Sequence, residues 1–343
     1  MLSFFVKIMR FFLVAIMSMS VIFSPLTGDK QGVIGDKNEN CLASFAAIAD
    51  THLTESSSRV GMLQLGLIDM QEAASRLDAL VINGDITELG YYEHWDNLVL
   101  AFDGYDPADK VILTAGNHDT WGPNRDDFEN PVDGVKPTFI KYVKDVTGME
   151  ITEMYYSTTI GEYPAIILGS EDDGVDAYIS DTQLNWFSAK MEELYVEGKP
   201  IFIFLHQPIN ETHGLPYIWG FNKEDPIETG GIGEQSDAVL EIIKNYNNVF
   251  YFSGHLHAGF SVDAEKERAK YTSVEYLENN AGNKITLVNI PCYQYIGAGR
   301  GVSTNTCGFV VEVYENEVLL RARHFSSGTW CSKYDTTVEL DVA

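Results

Sequence analysis

Residues 111–119 read VILTAGNHD, an apolar run that ends at Gly116 and is followed at once by Asn117, His118 and Asp119. The run has the length and composition of a buried strand, and the glycine marks the point where the chain turns out of it. Four more segments repeat the pattern. SFAAIAD ends in Asp50, with His52 two residues on; ALVINGD ends in Gly84-Asp85; IFIFLH ends in His206; and VFYFSGH runs into Gly254-His255-Leu256-His257. In open α/β sheets, sites form at the carboxyl ends of strands. Imidazole, carboxylate and amide groups gathered at such an edge point first to a metal site.

The spacing within blocks supports that chemistry. Asp50 and His52 are two residues apart, as are His255 and His257. In extended chain such pairs point to one side, so each can serve neighbouring ions. Oxygen and imidazole donors without thiolate suit Mn, Fe or Zn. Two carboxylates facing two divalent ions leave an excess charge of about +2, or about +1 with a shared hydroxide, which attracts an anionic phosphate.

Taken together, the five blocks resemble, in order and spacing, the calcineurin-like metallophosphoesterase superfamily, from about residue 44 to 260. The resemblance implies an α/β fold, a two-sheet sandwich flanked by helices (αββα). It implies two divalent transition-metal ions: Asp50, His52 and His257 on the first, Asp85 bridging both, and Asn117, His206 and His255 on the second. His118 would stay off the metal and assist the leaving group, with Asp119 left to orient it. A metal-bridging hydroxide would attack phosphorus. GDITELG, residues 84–90, is similar to the bacterial cyclic-nucleotide phosphodiesterase-like group, which runs GD-x-T-x-x-G. That group often has a second His where this chain has Gln207. The Arg-Gly and GNHE features of Ser/Thr protein phosphatases are missing. So is the tyrosine of the purple acid phosphatase GDxxY block, where Glu88 stands. Only 86 residues follow His257, too few for the substrate domain of exported 5′-nucleotidases. Phosphodiester hydrolysis is therefore the expected activity. A phosphomonoesterase and a catalytically silent metal-binding surface protein are the alternatives.

The 343-residue chain has 45% hydrophobic residues, ordinary for a packed core. With 23 basic and 50 acidic residues, its net charge is −27. Such a surface repels phosphate backbones, so a nucleic-acid polymer is not expected as partner, whereas a small phosphate ester is. Residues 1–25 are read as a signal peptide or N-terminal anchor: Lys7 and Arg10 precede an apolar stretch from Phe11 to Phe23 that breaks at Ser24-Pro25. That stretch is shorter than the ~20 residues of a spanning helix. Membrane contact would run only through this segment, and the protein is expected to be extracellular or on the cell surface. Residues 26–40 read as a linker, and 41–343 as one metallophosphoesterase domain whose tail, 258–343, supplies its second-sheet region. Export permits disulfides, so a bridge is expected among Cys292, Cys307 and Cys331, with buried thiols as the alternative.

Elsewhere, helices are expected over 60–76, 91–101, 138–146, 181–195 (capped by Asp181) and 235–246, and a hairpin about Gly161-Glu162. A loop is expected over 120–137. ITLVNI, GFVVEVY and EVLLRARHF read as antiparallel strands. The irregular segment 207–233, beginning beside His206, is read as a pocket wall. His94 is expected at the surface, and His213 and His324 as structural. Trp121, Tyr217 and Trp219 could stack on a substrate ring, though loop aromatics more often pack.

Overall fold

The computed structural model describes residues 31–36, 39–122, 131–219, 230–261, 271–294 and 305–341. The expected signal or anchor segment, residues 26–30 and 37–38 of the expected linker, and residues 220–229 of the expected pocket wall lie outside the described residues. Among the described residues, no helix is long and apolar enough to cross a membrane.

Two mixed sheets pack face to face. The first joins β1 (Ala43–Ile48), β2 (Ala79–Asn83) and β3 (Val111–Thr114) in parallel, then continues from β1 through β10 (Cys307–Val313) and β11 (Glu317–His324) to β12 (Thr329–Trp330), all antiparallel. Strand β13 (Thr336–Glu339) also pairs with β11. The second sheet orders β4 (Tyr156–Ile160), β5 (Tyr163–Ile167), β6 (Ile201–Phe204), β7 (Val249–Ser253), β9 (Lys284–Asn289) and β8 (Val274–Glu278). Its central strands β5, β6, β7 and β9 are parallel.

Alternation along β1 shows how the layers form. Phe45, Ala47 and Ala49 face the second sheet, where they meet Phe202, Phe204 and Phe252. The Phe45 ring sits edge-on to Phe202 at 5.1 Å and to Phe252 at 5.9 Å. Ala46 and Ile48 face outward, under helices α1 (Ser57–Gln71), α2 (Tyr92–Phe102) and α3 (Pro131–Thr147). On the far side, α4 (Asp181–Leu194) and α5 (Ser236–Ile243) bury Phe187, Met191, Val239 and Ile243 against Ile203 and Tyr251. Each fully buried apolar side chain contributes ~1.5–3 kcal/mol, so this interior is the main source of stability. The αββα sandwich is thus the observed fold.

Several local expectations need correction. ITLVNI becomes β9, which runs parallel to β7, because the preceding β8 turns the chain and leaves β9 the inner place. Residues 258–343 do not form the second sheet alone: β8 and β9 join it, while β10 to β13 return to the first. Helix α3 begins at Pro131, well inside the expected loop, and carries Pro137 in its interior. An interior proline costs ~3 kcal/mol. Here the burial of Val132, Val135, Phe139 and Val143 offsets it. Ser180, not Asp181, caps α4, its hydroxyl accepting from Gln183 N. His94 is buried, its Nε2 3.4 Å from Glu55 Oε2. All four cysteines are thiols, with Cys307 and Cys331 packed into the inter-sheet core.

Candidate metal centre

Strand register brings the five blocks to one edge. Ile48 pairs with Ile82, Asn83 with Thr114, and Phe204 with Phe252, so neighbouring strands end nearly level. Three blocks leave the first sheet and two leave the second. The sheets are tied at this edge by buried Asn83, whose Nδ2 donates to Leu205 O (3.2 Å) and Phe252 O (3.1 Å).

The chain turns sharply as it leaves the strands. Asp50, His52, Asp85, His255 and His257 all have left-handed φ, between 43° and 70°. Each such residue costs on the order of 1–3 kcal/mol, and such strain collects at functional sites. The glycines of the blocks make room for close approach. A Cβ on Gly84 would lie 2.4 Å from His206 Nδ1, and one on Gly116 would lie 2.2 Å from Asp85 N and Oδ1.

Seven of the eight residues expected at the site converge here, and buried Asn117 precedes His118 at the start of the same turn. Asp85 Oδ2 stands at the centre: His206 Nε2 lies 3.1 Å away, His52 Nε2 3.8 Å, His257 Nε2 3.9 Å and His118 Nε2 4.0 Å. Two ligand-type groupings share this carboxylate, Asp50, His52, Asp85 and His257 on one side and Asp85, His206 and His255 on the other. Each aspartate has one oxygen pinned by a main-chain N–H: Asp50 Oδ1 accepts from His255 N (3.1 Å), and Asp85 Oδ1 from His118 N (2.9 Å). Asp50 Oδ2 and Asn117 Oδ1 are buried without a hydrogen-bond partner among the described residues. Buried oxygens left this way are costly unless something binds them, and carboxylate, amide and imidazole donors fit divalent transition ions.

The electrostatics differ from residue to residue within the centre. Burial pushes His52 and His255 well below the ordinary histidine range, which keeps them neutral, as a metal ligand must be. Burial works against charge on His206 too, but Asp85 and Asp50 outweigh it and carry its pKa up to about 9. Burial would raise Asp85, yet His206, His257 and His118 hold it well below the usual carboxylate range. Asp50, desolvated beside that charge, rises to about 6.

His118 opens the short 3-10 turn His118–Thr120 and is 18% exposed at the side chain. Its Nδ1 pairs with the Glu88 carbonyl at 2.8 Å, and the Trp121 ring packs over it at 4.1 Å. The expected role of Asp119 needs correction, because its carboxylate does not orient His118. It accepts instead from Gly116 N, Ile86 N, Thr87 N and the Thr87 hydroxyl at 2.8–3.1 Å, stapling the Gly84–Asp85 turn to the Asn117 turn. Burial, aided by Asp85, raises its pKa to about 6.

The segment after His206 packs beside the centre. Leu215 and Ile218 bury against Leu256 and Ala258, and His213 is held by Thr272 O at 2.8 Å. Tyr217 is 47% exposed. Gln207 is buried, with Nε2 3.4 Å from Val175 O. Sequence reasoning missed Asn83, Arg59 and the part Glu88 plays. Glu88 was visible only as a departure from a motif, and nothing local marks the other two.

The fold and this arrangement define an α/β sandwich with a histidine–aspartate centre at the edge where both sheets end. The family model for calcineurin-like phosphoesterases matches residues 43–259, and the chain belongs to that family. Family and cluster together imply two metal ions. Among solved structures, a dimetal phosphatase from Danio rerio is similar at 13% identity and a TM-score of 0.54, covering 88% of this chain and 100% of that one. A structure of PhoD is similar at 11% identity and a TM-score of 0.52, covering 87% of this chain and 70% of that one. No curated protein sequence matches the chain significantly.

Proposed function

We propose that this protein hydrolyses small phosphate esters, phosphodiesters in preference to monoesters, at a dinuclear metal centre. The observation that carries this reading is the Asp85 carboxylate oxygen with four imidazole Nε2 atoms within 4.0 Å, beside the buried oxygens of Asp50 and Asn117. Asp50, His52 and His257 would hold one ion, Asn117, His206 and His255 the other, with Asp85 shared. Two divalent ions, when bound, polarise a phosphoryl group and make hydroxide available at neutral pH.

The remaining work falls to this chain's own groups. His118 turns Nδ1 to the Glu88 carbonyl, which leaves Nε2 to carry a proton to the departing oxygen. Trp121 excludes water from one face of that ring. Three features support a diester. The −27 charge penalises a dianionic monoester more than a monoanionic diester. Residues 84–90 resemble those of the cyclic-nucleotide phosphodiesterase-like group. Leu215 and Ile218 anchor the segment on Leu256 and Ala258, and exposed Tyr217 between them would offer apolar area to a second ester substituent. We also infer from residues 1–25 that the protein acts outside the cytoplasm.

The test is hydrolysis of bis(4-nitrophenyl) phosphate against 4-nitrophenyl phosphate after reconstitution with Mn²⁺, Fe²⁺ or Zn²⁺. A higher kcat/KM for the diester is expected. Equal or better monoester turnover replaces the diesterase reading with a phosphatase, and no turnover of either makes this a silent metal-binding protein.

A further inference from the structure

Glu88 reaches two histidines of the centre, buried His52 and partly exposed His118. Its main-chain carbonyl accepts from His118 Nδ1 at 2.8 Å. Its carboxylate Oε2 lies 3.7 Å from His52 Nδ1, while His52 Nε2 faces Asp85 Oδ2. His52, Glu88 and His118 bring ligand-type atoms within 4.8 Å of one another. The carboxylate is not loose. Arg59 Nη1 donates both to Glu88 Oε2 and to the His52 carbonyl, and the Arg59 carbonyl is held by Gln294 Nε2 at 2.8 Å. Main-chain bonds from Glu88 N to Leu53 O and from His52 N to Asp85 O zip the two ligand turns together.

A neutral imidazole carries one N–H and one lone pair. Only the lone pair can bind an ion, so whatever faces the other nitrogen decides whether the ring is a ligand. A carboxylate near Nδ1 favours the proton there and frees Nε2; such outer partners orient the ring and raise its basicity. An exposed Arg–Glu pair alone contributes ~0–1 kcal/mol, which does not account for a guanidinium that also grips the ligand's own carbonyl.

We propose that Glu88 is a positioning residue for the centre: its carboxylate, clamped by Arg59, sets the tautomer and orientation of His52, while its carbonyl does the same for His118. This inference rests on the dinuclear reading above. It goes beyond that reading in giving a role to a side chain outside the ligand set.

The test is calorimetric titration of Mn²⁺ into chelator-stripped protein, with the melting temperature of the stripped form measured alongside. Wild type is expected to take two ions. Glu88→Ala should take two, one of them bound ~10–100-fold more weakly, the usual effect of losing an outer-shell partner. Its stripped melting temperature should match wild type. Glu88→Gln, which keeps an oxygen dipole near Nδ1 but no charge, should recover part of the loss. Arg59→Met, which leaves Glu88 unclamped, should weaken the same ion by a smaller factor and serves if Glu88→Ala fails to fold. Two ions at wild-type affinity in Glu88→Ala would overturn the proposal. So would a single ion at saturation, since Glu88 would then be a ligand. Wild type taking up no ion would instead overturn the metal-centre reading itself.

Discussion

Asp85 and His206 meet across the sandwich: Asp85 Oδ2 lies 3.1 Å from His206 Nε2, although one residue follows β2 of the first sheet and the other follows β6 of the second. The contact is fully buried, and the opposite charge of each accounts for much of the shift in the other. Asp85→Asn keeps the shape and removes the charge that four imidazoles face. Elemental analysis of this variant should find most of both ions gone. Retention of two ions per chain would show that Asp85 is not shared.

His118→Ala should separate proton transfer from metal binding. A positioned acid contributes ~10²–10⁴-fold, so turnover should fall by that order. Metal content should stay at the wild-type value, because His118 is engaged by the Glu88 carbonyl and not by the ligand grouping around Asp50. A metal-free variant would make His118 a ligand.

Gly116→Ala should damage the centre from behind. The added methyl would lie 2.2 Å from the Asp85 amide nitrogen and Oδ1, and main chain cannot yield cheaply. Overpacking of this kind costs ~1–3 kcal/mol. Displacement of Asp85 should also lower Mn²⁺ affinity, measured by titration. Wild-type affinity in a folded variant would mean the turn adjusts without moving the ligand.

Asn83→Leu should loosen the joint between the sheets. It strips a donor from two buried carbonyls, of which Phe252 O keeps the Leu205 amide while Leu205 O is left without a side-chain donor. An unsatisfied buried group costs ~1–3 kcal/mol, so urea denaturation should report a loss of about 1–3 kcal/mol. A change near zero would assign the tie between sheets to packing alone.

His324 should make stability depend on pH away from the centre. Burial lowers its pKa to about 4, and its Nδ1 pairs with the Ser327 hydroxyl at 2.7 Å. The unfolded ring, at its ordinary value near 6.5, binds the proton more readily than the folded one. Its contribution is therefore complete above about pH 6.5 and is lost as pH falls toward 4. Between pH 7 and 5, wild type should lose about 1–2 kcal/mol more than His324→Gln. Equal losses by chemical denaturation would mean that His324 titrates normally.

Much of the centre was legible because its blocks are local. An apolar run, a glycine and a polar residue define a strand, its end and a group presented there, and none of these needs a distant partner. Asp50, His52, Asp85, Asn117, His206, His255 and His257 were all visible this way. Asp119 was misread for the opposite reason: its neighbour in sequence is His118, but its donors come from Thr87 and Ile86 as well as Gly116. His94 looked exposed among Tyr92, Glu93 and Trp95, and is buried, with Glu55 from a distant turn 3.4 Å from its Nε2.

The sequence by itself determined the strands, their ends and the donor types, since periodicity and turn chemistry act over a few residues. Only the tertiary structure decided which sheet each strand joins. Strand pairing is long-range, and a run such as ITLVNI reads the same beside a parallel or an antiparallel neighbour. The same holds for Glu88, Arg59 and Asn83, whose work consists of single hydrogen bonds between segments far apart in the chain. Those partners exist only once the inter-sheet core has packed and brought both sheet edges level.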